Sequence, residues 1–426
     1  MKEPMQPKAS SCPHPFERTR ETHPVWVALF LLGLFALAWF ISLKMARNSG
    51  SDIGIHAAWA AECSFLHPKT FFRHGAHPLW HVMVSLLLLV GMPLDYAAAL
   101  ITALSKTLEG YLVYRLFRQR VKFHTLLLLL MSLICVTVAC IRIKDYNMVV
   151  YFANPNNKTT YSLGTPNTWH SCTQYLAQVF MLVCVPYAAH LYDRFENELP
   201  LQGENSNIPK KEGIFFGTLL IGSLLAKPTF MQAFLPAACL FFLYQWIRHP
   251  KNSRFFVRVL LCVLPSILMM IAQYLYYFTN TVVEQGGMVF SLTPNKLKIT
   301  LAGAAMMRIF PWATLLMTRK KPLNTFEKLT LAYDAVAIVE YVLLGEGGPR
   351  ADDGNFGWGM MGAALMLWVV TLIRYAHLWE EKLPTGQPKC RLCQIGHRVM
   401  GLLLMAWHWY GGIYYLCFLF QTTRAL

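Results

Sequence analysis

The run Val25-Trp-Val-Ala-Leu-Phe-Leu-Leu-Gly-Leu-Phe-Ala-Leu-Ala-Trp-Phe-Ile-Ser-Leu43 holds no charged residue. Such a stretch is long enough to cross the ~30 Å hydrocarbon core of a bilayer as a helix. Lys2, Lys8, Arg18 and Arg20 precede it, and no small-x-small cleavage pattern follows. It therefore reads as an uncleaved anchor with its N-terminus in the cytoplasm. The segment after it, 46–81, is wet. It carries Ser51-Asp52-Ile53-Gly54-Ile55-His56, then Glu62, His67, Lys69, Arg73, His74, His77 and His81. If Ser51 caps a short helix, Asp52 and His56 stand four residues apart on one face. A reactive carboxylate at the membrane surface is one reading of this loop. The other is that surface loops collect polar residues in any case.

The same signal recurs along the chain. Of 426 residues, 55% are hydrophobic and only 14% are charged. That composition predicts an all-α, polytopic bundle of membrane-spanning helices. Apolar runs fall at 25–45, 95–117, 123–141, 170–191, 213–226, 229–247, 256–278, 297–318, 329–345, 356–377 and 398–420, which makes eleven crossings. No stretch between them leaves room for a separate soluble domain. The expectation is one membrane-embedded domain, 1–426, with outer loops at 46–81, 142–169 and 345–358. The formal charge of +16 sits in short clusters between spans. That is the pattern of topology signals and lipid headgroup contacts, and it argues against a nucleic-acid partner.

A further apolar stretch, 79–92, would make a helix of roughly 21 Å, too short for a crossing. If it did cross, the clusters around Arg115 to Lys122, Lys210, Arg254, Lys320 and Lys389 would all lie outside. The positive-inside rule makes it re-entrant or interfacial and puts the C-terminus outside.

That orientation gathers the distinctive residues on the outer face. The loop 142–169 carries Asp145 and leads into Gly164-Thr-Pro-Asn-Thr-Trp-His170. At Ala226-Lys227-Pro228-Thr229 proline breaks a long apolar run, so the chain turns back and leaves Lys227 near the outer boundary. Lys106 and Arg308 lie within spans, where cations are costly and mark polar cavities by default. Snorkelling, or an internal pair with Glu109 or Asp334, is the alternative for them. The last outer loop runs from Gly345-Glu346 through Arg350, Asp352 and Asp353 to Asn355-Phe-Gly-Trp358. Its glycines allow close backbone approach to a ligand, and its charges suit phosphate or sugar hydroxyls.

Several classes are excluded. There is no G-x-x-x-x-G-K-[ST], no strand-based G-x-G-x-x-G, no G-x-S-x-G and no H-E-x-x-H. Most of the eleven cysteines lie in apolar runs and act as small apolar residues. Cys63 and Cys172 are both expected on the outer face, where they could pair. Cys390-Arg-Leu-Cys393 with His397 is half a zinc site without a fourth ligand.

Asp52 after the first span, His77-Pro-Leu-Trp80, Tyr114-Arg-Leu-Phe-Arg118 and the broken pair at Lys227-Pro228 together resemble the GT-C superfamily of integral membrane glycosyltransferases. The stretches Gly164 to His170, Glu346 to Trp358 and His408 to Tyr415 resemble a group of polytopic proteins of Gram-positive bacteria with that architecture. The resemblance implies a GT-C-like bundle that moves a sugar from a polyprenyl-phosphate donor to a glycan, lipid or protein acceptor of the cell envelope, at the outer face. Asp52 would be the base or would position the acceptor. His56, Glu62, Lys106, Asp145, His170, Lys227, Arg308, Glu346, Arg350 and Asn355 would bind substrate, with the cations on phosphate. A second acidic residue, Glu62 or Asp145, leaves a divalent Mg or Mn ion open as cofactor. A flippase for lipid-linked glycans, or a non-catalytic subunit of an envelope-polymer assembly, would use the same residues differently.

Overall fold

The computed structural model describes residues 23–143, 164–202, 208–279, 287–347, 355–382 and 388–421. Asp145 and Arg350 lie outside them. The described residues form α1 (Pro24–Ala46), α2 (Asp52–Ala61), α3 (Leu79–Leu89), α4 (Leu94–Arg120), α5 (Thr125–Thr137), α6 (Cys172–Gln202) and α7 (Lys210–Ala226). They continue with α8 (Thr229–Arg248), α9 (Ser253–Thr279), β1 (Met288–Phe290), α10 (Pro294–Met317), α11 (Thr325–Leu343), β2 (Leu344–Glu346), α12 (Asn355–Glu380) and α13 (Pro388–Gln421).

The protein is an all-α bundle, and among the described residues 7 helices are long and apolar enough to cross a membrane. They are Pro24–Ala46, Cys172–Leu199, Thr229–Arg248, Pro250–Tyr276, Lys296–Met317, Asn355–Glu380 and Arg391–Gln421. The other four expected spans are helical but fall short of that measure. α5 has 13 residues and α7 has 17. α4 and α11 are long enough but hold charged side chains inside the bundle, among them Lys106, Glu109, Glu327 and Asp334. A span that packs against protein on most sides can carry paired charges that a lipid-facing one cannot.

α6 and α12 form the centre and are buried along almost all of their length, whereas α1, α9 and α13 turn Leu29, Phe40, Leu261, Leu268 and Leu403 outward. Rows of exposed leucine and phenylalanine on long helices are the surface that a bilayer covers. α3, with 11 residues, spans about 17 Å and is too short to cross.

Local chemistry sets the elements that carry the site. Ser51 caps α2 by accepting a hydrogen bond from the Gly54 N–H at 2.9 Å, and Asp52 stands in the first turn where the helix dipole favours an anion. α2 packs so tightly on the end of α1 that a Cβ on Gly54 would lie 2.1 Å from the Asn48 carbonyl oxygen. Only glycine fits there. Further along, Lys227 is extended, with φ −169° and ψ 127°, as a residue before proline should be. α7 therefore stops at Ala226 and α8 restarts at Thr229. A small antiparallel ribbon pairs Met288 with Glu346 and Phe290 with Leu344, tying the segment before α10 to the one after α11.

Candidate functional site

α2 brings Asp52 and His56 onto one face, with His56 Nε2 3.7 Å from Asp52 Oδ1. The second carboxylate oxygen, Asp52 Oδ2, is buried and has no hydrogen-bond partner among the described residues. Behind them α3 supplies His81, whose Nε2 lies 2.9 Å from His56 Nδ1. Trp59 meets His56 edge-on and stacks on His74 at 5.0 Å. From the centre of the bundle Cys172, at the head of α6, completes a group with Asp52 and His56 whose donor atoms all lie within 4.8 Å of one another.

Lys227 approaches from the α7–α8 break. Its ammonium lies 4.3 Å from the centre of the Trp358 ring, and it acts electrostatically on His56, His170 and Cys172. His170 is buried, bonded through Nδ1 to the Tyr415 hydroxyl at 2.7 Å, and its ring stands 5.4 Å from Trp358. Six elements thus converge on one place.

Beside it lies a cavity of about 350 Å³. Lys227, Gln232, Gln273, Glu340, Glu346 and Asn355 supply its polar wall. Asn355 donates to both carboxylate oxygens of Glu346, at 2.8 and 2.9 Å, which ties the start of α12 to β2. Asp52 does not line this cavity. Lys227 and His77 connect the two, since both line it and the His77 ring is 5.8 Å from that of His56.

No family model matches the chain. No curated protein matches it either.

The geometry sorts the residues singled out from sequence. Asp52, His56, His170 and Lys227 are gathered at the cluster, with Glu346 and Asn355 on the adjoining cavity. Lys106 and Arg308 are instead closed into internal pairs. Lys106 bonds Glu109 at 2.8 Å and Asn167 at 3.2 Å and lies against the Trp169 and Tyr175 rings. Arg308 grips Asp334 through Nε and Nη2 and the Met360 carbonyl at 2.8 Å. Both cations are fully buried, in the internal pairs with Glu109 and Asp334 that the sequence offered as the alternative to a cavity role. Glu62 is exposed and bonded to His74 at 2.9 Å, which holds its carboxyl below the ordinary value. Cys63 and Cys172 do not pair; both thiols are free. Cys172 is buried beside Asp52, whereas Cys63 stays at the end of α2, bonded to the Trp59 carbonyl.

Sequence reasoning missed Cys172, His77, His81 and Trp358 as parts of one site. Two signals were present: His77 and His81 are spaced four apart, and Cys172 stands two residues beyond His170.

Burial pushes His56 well below the usual imidazole range and His81 down to about 4, each also disfavoured by neighbouring positive charge. Between about pH 6.5 and 4 the released loop takes up protons that the packed one refuses. Packing of α2 on α3 is therefore fully stable above that window and is lost as pH falls through it. The expected result is a melting temperature that drops from pH 6.5 toward 4, with a shallower drop in His81→Gln. Equal slopes for the two proteins would count against this origin.

Proposed function

We propose that the chain is a GT-C-like membrane glycosyltransferase that moves a sugar from a polyprenyl-phosphate donor to a cell-envelope acceptor. The reading includes eleven crossings, a cytoplasmic N-terminus and a reaction at the outer face of the cell membrane. What carries it is the convergence of a carboxylate with an unpartnered, buried oxygen, Asp52, and a cation on a cavity wall, Lys227, around the same His56, His170 and Cys172.

On this reading Asp52 accepts the proton of the acceptor hydroxyl as the sugar's bond to phosphate breaks, with inversion at the sugar carbon. Lys227 stabilises the negative charge left on the lipid phosphate. The indole of Trp358 beneath the ammonium keeps it directed and dry, and the Glu346–Asn355 pair offers hydrogen bonds to sugar hydroxyls. Because Lys106 and Arg308 are spent on internal carboxylates, the phosphate role among the described residues concentrates on Lys227.

The test uses full-length protein in lipid nanodiscs with a panel of labelled polyprenyl-phosphate sugars. Transfer of label out of the donor is expected for one sugar. In Lys227→Met the KM for that donor should rise about tenfold or more, as a charged hydrogen bond is worth about 1.5–3 kcal/mol. An unchanged KM would remove Lys227 from the phosphate. Movement of intact donor across the bilayer without transfer would make the chain a flippase.

A further inference from the structure

We propose that Asp52, His56 and Cys172 form a zinc site. The three donor atoms come from α2 and from the head of α6, lie within 4.8 Å of one another, and include a carboxylate oxygen, an imidazole nitrogen and a thiol sulfur. Mg²⁺ and Mn²⁺ take oxygen ligands, and this set does not suit them. Zn²⁺ accepts all three donor types, with bonds of about 2.0–2.3 Å. A tetrahedral centre with such bonds has donors about 3.3–3.7 Å apart. The Asp52–His56 separation of 3.7 Å already meets that, and the sulfur, within 4.8 Å of both donors, would have to close about 1 Å at most.

Three further features fit. Asp52 Oδ2 is buried without a hydrogen-bond partner, so no donor among the described residues competes with an ion for this carboxylate. His56 presents Nε2 to Asp52 while its Nδ1 faces His81 Nε2 at 2.9 Å, the outer contact that orients a metal-binding imidazole. The charges also balance: binding releases the Cys172 proton to solvent, and a thiolate with the Asp52 carboxylate neutralises Zn²⁺, so Lys227 faces a centre without net charge.

Three protein ligands leave one position open, the arrangement of catalytic rather than structural zinc. The Asp52 side chain keeps 28% exposure, which gives an ion a way in. Asp52 would hold zinc by one oxygen and keep the other for a proton.

The experiment measures metal on the purified full-length protein and is indifferent to sugar transfer, so it fails or succeeds independently of the reading above. Zn²⁺ and Co²⁺ are the probes, read by elemental analysis after dialysis, by competition with a chromophoric chelator and by the Co²⁺ absorption spectrum. Wild-type protein should retain about one ion per chain, with a tetrahedral, thiolate-bearing Co²⁺ spectrum. Cys172→Ser should lose the thiolate band, Cys63→Ser should keep it, and His81→Leu should weaken Zn²⁺ binding about 10–100-fold. Should Cys172→Ser not fold, the near-isosteric Asp52→Asn gives the second reading of affinity. Zn²⁺ held equally by Cys172→Ser, His56→Ala and wild type, or no retained ion in wild type, would overturn the site.

Discussion

Asp52→Asn is expected to lower sugar transfer by about 10²–10⁴-fold if Asp52 is the general base proposed above, the usual contribution of a positioned base. The substitution is chosen to spare the fold. Asparagine matches aspartate in shape, the α2 cap belongs to Ser51, and loss of one charge from the first turn costs only about 0.3–1 kcal/mol through the helix dipole. Donor affinity should hold, because the proposal gives the phosphate contact to Lys227. In cells, a deletion strain rescued with Asp52→Asn should accumulate polyprenyl-phosphate sugar and make an envelope polymer lacking that sugar, as read by mass spectrometry. A rescue identical to wild type, beside a deletion strain that is clearly altered, would remove the catalytic reading. A flippase or an assembly subunit would then account for the phenotype.

How much of this site was legible beforehand differs residue by residue. The Asp52–His56 pairing was readable because a serine cap and a spacing of four are local facts. The break at Lys227-Pro228 was readable for the same reason, as proline dictates it from within the chain. Long-range placement was not. For Lys106 and Arg308 the sequence offered two readings, a cavity cation or an internal pair with Glu109 or Asp334, because it shows a charge in an apolar run but not what faces it. Only the packed bundle decides between them, and it makes the pairs. Cys172 looked like half of a disulfide, since nothing local says that the head of α6 passes beneath α2. The span count shows the same limit. Apolar length identified the seven strongest helices among the described residues, whereas α4 carries its own buried Lys106–Glu109 pair and α11 answers Arg308 of α10 and Arg374 of α12.

The Arg308–Asp334 pair carries the second large effect. Arg308→Ala leaves Asp334 in a buried site, where its carboxylate side chain is only 6% exposed, with no cation to answer it. Breaking one partner of a buried pair costs about 3–5 kcal/mol, enough to make the protein unstable in detergent. The loss should be structural rather than local, because Arg308 on α10 bonds both Asp334 on α11 and the Met360 carbonyl on α12, and the three helices separate together. The double variant Arg308→Met with Asp334→Leu distinguishes this from simple loss of packing. With both charges gone, apolar side chains of similar size fill the space without a desolvation cost, and stability should return close to wild type. Thermal unfolding followed by size-exclusion chromatography reads both variants. A double variant as unstable as Arg308→Ala would mean that the guanidinium's bond to Met360, not its charge balance with Asp334, holds α10 to α12. Catalytic rates add an independent check, since Arg308 belongs to neither the Asp52 cluster nor the cavity wall. The folded double variant should therefore transfer sugar at the wild-type rate, whereas a phosphate-binding Arg308 would leave it folded but inactive.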